Sequence, residues 1–386
     1  MDPSPRVGIL FAYPFRIFFF SAVLLGGLLI PLWLTILWQA NTMPLAVNSL
    51  AWHQHEMVAG FLNATIAGFL LTAVCQWTGT QPVTGKPLLG IWLLWLAGRV
   101  GMTFGASAPQ LAATIDLAFL PVVALIVALR ISGARQYRQL PVILILASLW
   151  GMDLAFHLSD DMHYNRVMVI LAGALILVVG GRITPAFSRN WLHRNTGHGE
   201  TVKHFPWLDA ITLAAVFALV VLETVRAAPL MIAGVAFTAS LLAMVRLVLW
   251  HGWQVHSEPL LWILHLGVLW VVLGLFFRSL AALDLISTTV WVHAFGAGAM
   301  GTMIVGVISR VGLGHTGREL YLPTGVLSCF WLILAAGVLR VLAGFGLVGW
   351  YLGLGAAATC WSVAFLRLAY LYWPILATQR IDGRPG

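Results

Sequence analysis

A chain of 386 residues that is 60% hydrophobic and only 9% charged is too apolar for a water-soluble domain of this length. Its apolar runs are long and continuous, which excludes a β-barrel built of short alternating strands and leaves helices as the spanning elements. The net charge of +8 comes from basic residues scattered at predicted helix ends rather than clustered, so a nucleic-acid surface is excluded as well.

In chain order, Met1 to Tyr13 is a short N-terminal segment, and Pro14 opens a first span, Phe15 to Trp38. That apolar run is too long for a signal-peptide core and reads as a retained anchor. Span two is predicted over Trp52 to Gln76, span three over Leu88 to Phe104, span four over Leu111 to Arg130, span five over Leu140 to His157 and span six over Val167 to Ile183. The polar stretch Thr184 to Phe205 reads as a cytoplasmic loop. It joins two six-span halves, residues 1–183 and 206–386, of a single polytopic domain covering 1–386. Spans seven to nine follow over Pro206 to Arg226, Pro229 to Leu249 and Pro259 to Arg278. Spans ten to twelve follow over Thr288 to Arg310, Gly325 to Gly344 and Val348 to Tyr372. The expected fold is therefore an all-α integral membrane bundle of about 12 transmembrane helices. With both termini cytoplasmic, all of the 21 Lys and Arg except Arg99, Arg166, Arg226, Arg278 and Arg340 fall on the cytoplasmic side, as the positive-inside rule requires. Two halves of six spans also fit a transporter, although the halves share no motif.

The densest chemistry lies at the head of span two, in Trp52-His53-Gln54-His55-Glu56-Met57. Ionisable groups at membrane depth are costly and mark pathways or sites. On a helix His53 and His55 point about 200° apart, so they serve different sites unless His53 precedes the helix. The topology puts His53, His55 and His293 at one outer level, with His157 and His163 flanking the next outer loop. Imidazoles from two helices are one way to hold a haem in a bundle, and His55 and His293 are the expected pair, with His53 as ligand or neighbour. His265, about two turns inside span nine, is expected to be a buried polar anchor or a second-site ligand, and His315 at the inner end of span ten is a further candidate. Glu56 reads either as a helix-start cap or as a proton-handling group. Arg99 and Arg278, at outer helix ends, can hold carboxylates such as haem propionates or can snorkel to the interface. His157 and His163 read as hydrated interface histidines. The three cysteines, Cys75, Cys329 and Cys360, form no C-x-x-C motif, and the absence of thiolate ligands suits haem b.

These residues resemble the NnrS family. The resemblance is carried by Trp52-His53-Gln54-His55-Glu56-Met57, by Gly68 to Val74 with Trp77-Thr78-Gly79, and by Gly180-Gly181-Arg182-Ile183-Thr184-Pro185. It continues through His265-Leu266-Gly267, His293-Ala294, Gly301-Thr302-Met303, Ser309-Arg310 and Leu313-Gly314-His315-Thr316-Gly317-Arg318. Cys75-Gln76 departs from the pattern. The resemblance implies a haem- and copper-containing protein of the bacterial inner membrane, tied to nitric oxide metabolism and nitrosative stress. The expected function is binding of nitric oxide and its reduction or detoxification, in the manner of a nitric oxide reductase-like haem oxidoreductase. Glu56 would be the catalytic proton group, and a separate protein would donate the electrons. The competing readings are a transporter with a His/Glu proton or metal relay, and a haem sensor that binds nitric oxide without turnover.

Overall fold

The computed structural model describes residues 7–38 and 43–384. Residues 1–6 of the predicted N-terminal segment therefore lie outside the described residues. No β-strand occurs among the described residues, and 12 helices are long and apolar enough to cross a membrane. They are α1 Pro14–Trp38, α2 Ser49–Thr78, α3 Gly85–Phe104, α4 Pro109–Gly133, α5 Tyr137–Ser159 and α6 His163–Thr196, then α7 Pro206–Thr224, α8 Pro229–Leu249, α9 Pro259–Ala282, α10 Thr288–His315, α11 Val326–Gly344 and α12 Trp350–Leu376. The predicted count and order of spans agree with these helices. Their ends do not always agree: α6 continues as helix to Thr196, through more than half of the stretch expected to be a loop.

Local signals account for many of the ends. Proline, whose missing N–H has no helical partner at a first turn, opens α4, α7, α8 and α9. Asn48 caps α2 by accepting a hydrogen bond from the Ala51 N–H at 2.9 Å, so Glu56, more than a turn further in, is not the cap. Gly79, at φ 68°, closes α2 in the left-handed conformation that only glycine adopts without cost.

The chain forms two compact units. The first comprises residues 1–168, 308–320 and 365–386, and the second 169–307 and 321–364. In the first, α3 packs along α4, α4 along α5, and α2 lies against α1 and α4. In the second, α9 packs along α8 and α10, α8 along α7, and α10 against α11. Small residues set the close approaches. In the second unit, a Cβ on Gly337 would meet the Gly298 Cα at 3.1 Å. In the first, a Cβ on Gly98 would meet Asp116 Oδ1 at 3.0 Å and its Cα at 3.1 Å. Each unit contains one interrupted span. In α2 a seven-residue π-helical segment, Glu56–Leu62, follows His55, and in α10 a seven-residue π segment, Ala294–Met300, follows His293. Such bulges widen a helix locally and recur at functional sites.

Candidate metal centre

Span α2 is the most enclosed helix of the bundle, with 89% of its most apolar stretch buried. The end of its first α-helical segment delivers His55 and Glu56 into the interior of the first unit, where they are 0% and 1% exposed. Three neighbouring helices converge on them. Arg99 comes from α3, Asp116 from α4, and Asp153 with His157 from α5; Arg99, Asp116 and Asp153 are buried, and the His157 side chain is 6% exposed. Gly60, inside the π segment, has no side chain where Arg99 Nη1 and Glu56 Oε2 pass; a Cβ there would lie 2.8 Å from each. The Gly60 carbonyl accepts a hydrogen bond from Trp95 Nε1 at 3.0 Å, which ties the bulge to α3.

The six ionisable groups form one network. His55 Nδ1 lies 3.2 Å from Glu56 Oε1. His55 Nε2 lies 3.0 Å from Asp116 Oδ2 and 3.1 Å from Asp153 Oδ1. Arg99 Nη1 donates to Glu56 Oε1 at 2.7 Å, and Arg99 Nη2 pairs closely with Asp116 Oδ1. His157 Nε2 stands 3.6 Å from both Asp116 Oδ2 and Asp153 Oδ1, too far for a hydrogen bond, and is buried without a hydrogen-bond partner. One ligand atom from each of His55, Asp116, Asp153 and His157 lies within 4.8 Å of all the others, a spread that one metal ion can span.

The sequence-predicted residues distribute as follows. His55, Glu56 and Arg99 come together. His53, two residues from His55, turns away and stacks on Trp33 with ring centroids 4.2 Å apart, as the helical angle predicts. Both ring nitrogens of His55 lie within 3.2 Å of carboxylate oxygens. His157, expected as a hydrated interface group, is part of the buried network. Asp116 and Asp153, both buried, complete the set. Asp153 and His157 are four residues apart on one helix face, and that spacing is the one local signal pointing to this set.

In the second unit, His293 Nδ1 lies 2.7 Å from the Thr289 carbonyl oxygen. A carbonyl only accepts, so Nδ1 carries the proton, and the same kind of bond orients many metal-binding histidines. This orientation fits a haem or metal ligand. Arg278 pairs closely with Glu223 and lies over the Trp291 ring at 5.3 Å, so its charge is already matched. His265 is buried; its Nε2 meets Ser188 Oγ at 2.9 Å, its Nδ1 has no hydrogen-bond partner, and Gly252 lies against the ring. His315, at the end of α10 in the first unit, sits against the rings of Tyr13 and Phe15 at 6.4 and 5.4 Å.

A search among curated proteins finds no match for this chain. The family described as NnrS protein matches residues 9–380, nearly the whole length. The match spans all 12 membrane helices and takes in the His55 network, and on that extent the chain belongs to the NnrS family, membrane proteins of nitric oxide-related function.

Proposed function

We propose that this protein is a haem b- and copper-containing protein of the bacterial inner membrane that binds nitric oxide and removes it by reduction. The observation that carries this reading is the buried network around His55. Six ionisable side chains from four helices, enclosed in an apolar bundle, have a steep desolvation cost. Groups retained at such a cost belong to sites. His293 suits the haem, because its Nδ1–H is held by the Thr289 carbonyl, which fixes the ring's orientation. The imidazoles and carboxylates around His55 suit a divalent ion, copper(II) included. Bound haem would supply a redox-active iron able to take a diatomic gas.

Reduction of two nitric oxide molecules to nitrous oxide and water takes two electrons and two protons. A separate donor protein supplies the electrons. Glu56, joined to His55 and Arg99, is the chain's candidate for holding and passing a proton. The experiment is a visible spectrum of the purified protein, followed by anaerobic titration of the reduced form with nitric oxide and measurement of its consumption with an artificial donor. A Soret band that moves on titration, together with consumption, is the expected result. A colourless protein would overturn the haem reading and favour a carrier. A haem protein that binds nitric oxide without consuming it would be a sensor.

A further inference from the structure

We propose that His55, Asp116, Asp153 and His157 bind a single divalent first-row transition-metal ion, forming a centre separate from any haem. The proposal deepens the preceding reading by naming the ligands of its non-haem metal, and it stands on the geometry of these four side chains rather than on nitric oxide chemistry.

Spacing is the first argument. The atoms turned toward one another are His55 Nε2, His157 Nε2, Asp116 Oδ2 and Asp153 Oδ1. The imidazole nitrogens stand 3.0, 3.1, 3.6 and 3.6 Å from the carboxylate oxygens. Ligand atoms held about 2.1 Å from one tetrahedral ion stand roughly 3.4 Å apart, in the middle of that range. The two longer separations make poor hydrogen bonds and normal ligand-to-ligand distances. His157 Nε2 is the clearest case, being buried and unpartnered while it faces two carboxylate oxygens.

Charge is the second argument. With the imidazoles neutral, the form in which they ligate a metal, the site holds three carboxylates, Glu56, Asp116 and Asp153, against one guanidinium, Arg99. The deficit is two positive charges, which one divalent ion makes good in a region where a net charge is strongly disfavoured. The second unit offers a contrast. There Arg278 faces Glu223, and Arg246 with His204 faces Asp209, so each carboxylate already has a basic group against it.

Orientation is the third. Glu56 sits at the far ring nitrogen of His55, and Arg99 bridges Glu56 to the outer oxygen of Asp116. This is the arrangement in which a carboxylate fixes the tautomer of a ligating histidine and directs Nε2 at the ion. Two imidazoles and two carboxylates suit divalent iron, copper, zinc or manganese, and do not suit cuprous copper, which prefers sulfur.

The test is elemental analysis of the purified protein, with haem iron counted separately through its pyridine complex. The wild type is expected to carry about one equivalent of non-haem transition metal. Asp153→Asn and His157→Gln, close in shape to the originals, are expected to lose at least roughly nine-tenths of it while keeping the wild-type haem content. Should either variant fail to fold, cobalt(II) titration of chelator-stripped wild type decides. A stoichiometric d–d spectrum that is abolished by zinc supports the site, and no cobalt spectrum overturns it. Wild-type metal content in both folded variants would also overturn it. A colourless protein that still binds cobalt would fail the haem reading and keep this one; a haem protein that consumes nitric oxide without a second metal would overturn this one and the copper of that reading, and leave its haem and nitric oxide parts standing.

Discussion

Arg99 is the single guanidinium in the His55 network, and its two terminal nitrogens serve two different carboxylates. Removing one partner from a buried ion pair leaves an uncompensated charge and costs about 3–5 kcal/mol. Arg99→Leu is therefore expected to lower the thermal midpoint in detergent sharply or to prevent accumulation. Arg99→Lys, which keeps the charge but cannot fork, is expected to fall between it and wild type. A midpoint for Arg99→Leu equal to wild type would mean the network carries no such charge balance. His265 makes a smaller case. Its partner Ser188 Oγ would be left unpaired in His265→Leu, a loss of about 1–3 kcal/mol. The expected signature is a lower midpoint with the metal content of the His55 network intact. An unchanged midpoint would show that His265 is no anchor.

At the scale of the helix, the two π segments are the features that sequence periodicity does not announce. Each begins directly after a histidine, and each sits in the interrupted span of its unit. In α2 a side chain at Gly60 would displace the ends of Arg99 and Glu56, which pass there. Gly60→Ala is expected to cost about 1–3 kcal/mol through forced displacement of those side chains. Gly90→Ala, on α3 with nothing within 4 Å of the added Cβ, is the matched control and is expected to be neutral or stabilising by up to about 1 kcal/mol. Equal thermal midpoints for the two variants would remove the steric role given to Gly60. The regular parts of these helices were legible from apolar runs and N-terminal prolines. The bulges were not, because a π turn depends on which neighbours donate to its displaced carbonyls, as Trp95 does to Gly60.

For the whole molecule, the distribution of Lys and Arg predicts that both termini and the α6–α7 connection are cytoplasmic, while the connection after α5 at Asp160 is external. A phosphatase reporter inserted at Asp160 is expected to be active and one at Gly197 inactive. The reverse pattern, or activity at both, would break the predicted orientation.

Composition alone determined the solvent, and through it the architecture. A chain with so few charges must satisfy its backbone internally, so twelve apolar runs become twelve helices. The sequence also singled out His55, Glu56 and Arg99, because ionisable groups beside apolar runs stand out in one dimension. Tertiary structure decided their company. Asp116 lies 61 residues from His55, and Asp153 and His157 lie further still; no spacing rule links α2 to α4 and α5. Only the packing of those helices, with Gly98 letting α3 close on Asp116, turns scattered polar residues into one buried network. The angle between His53 and His55 follows from helix geometry and was legible. That His157 faces inward at 6% exposure was not, because the depth of a residue along a span does not fix which side of the helix meets a neighbour.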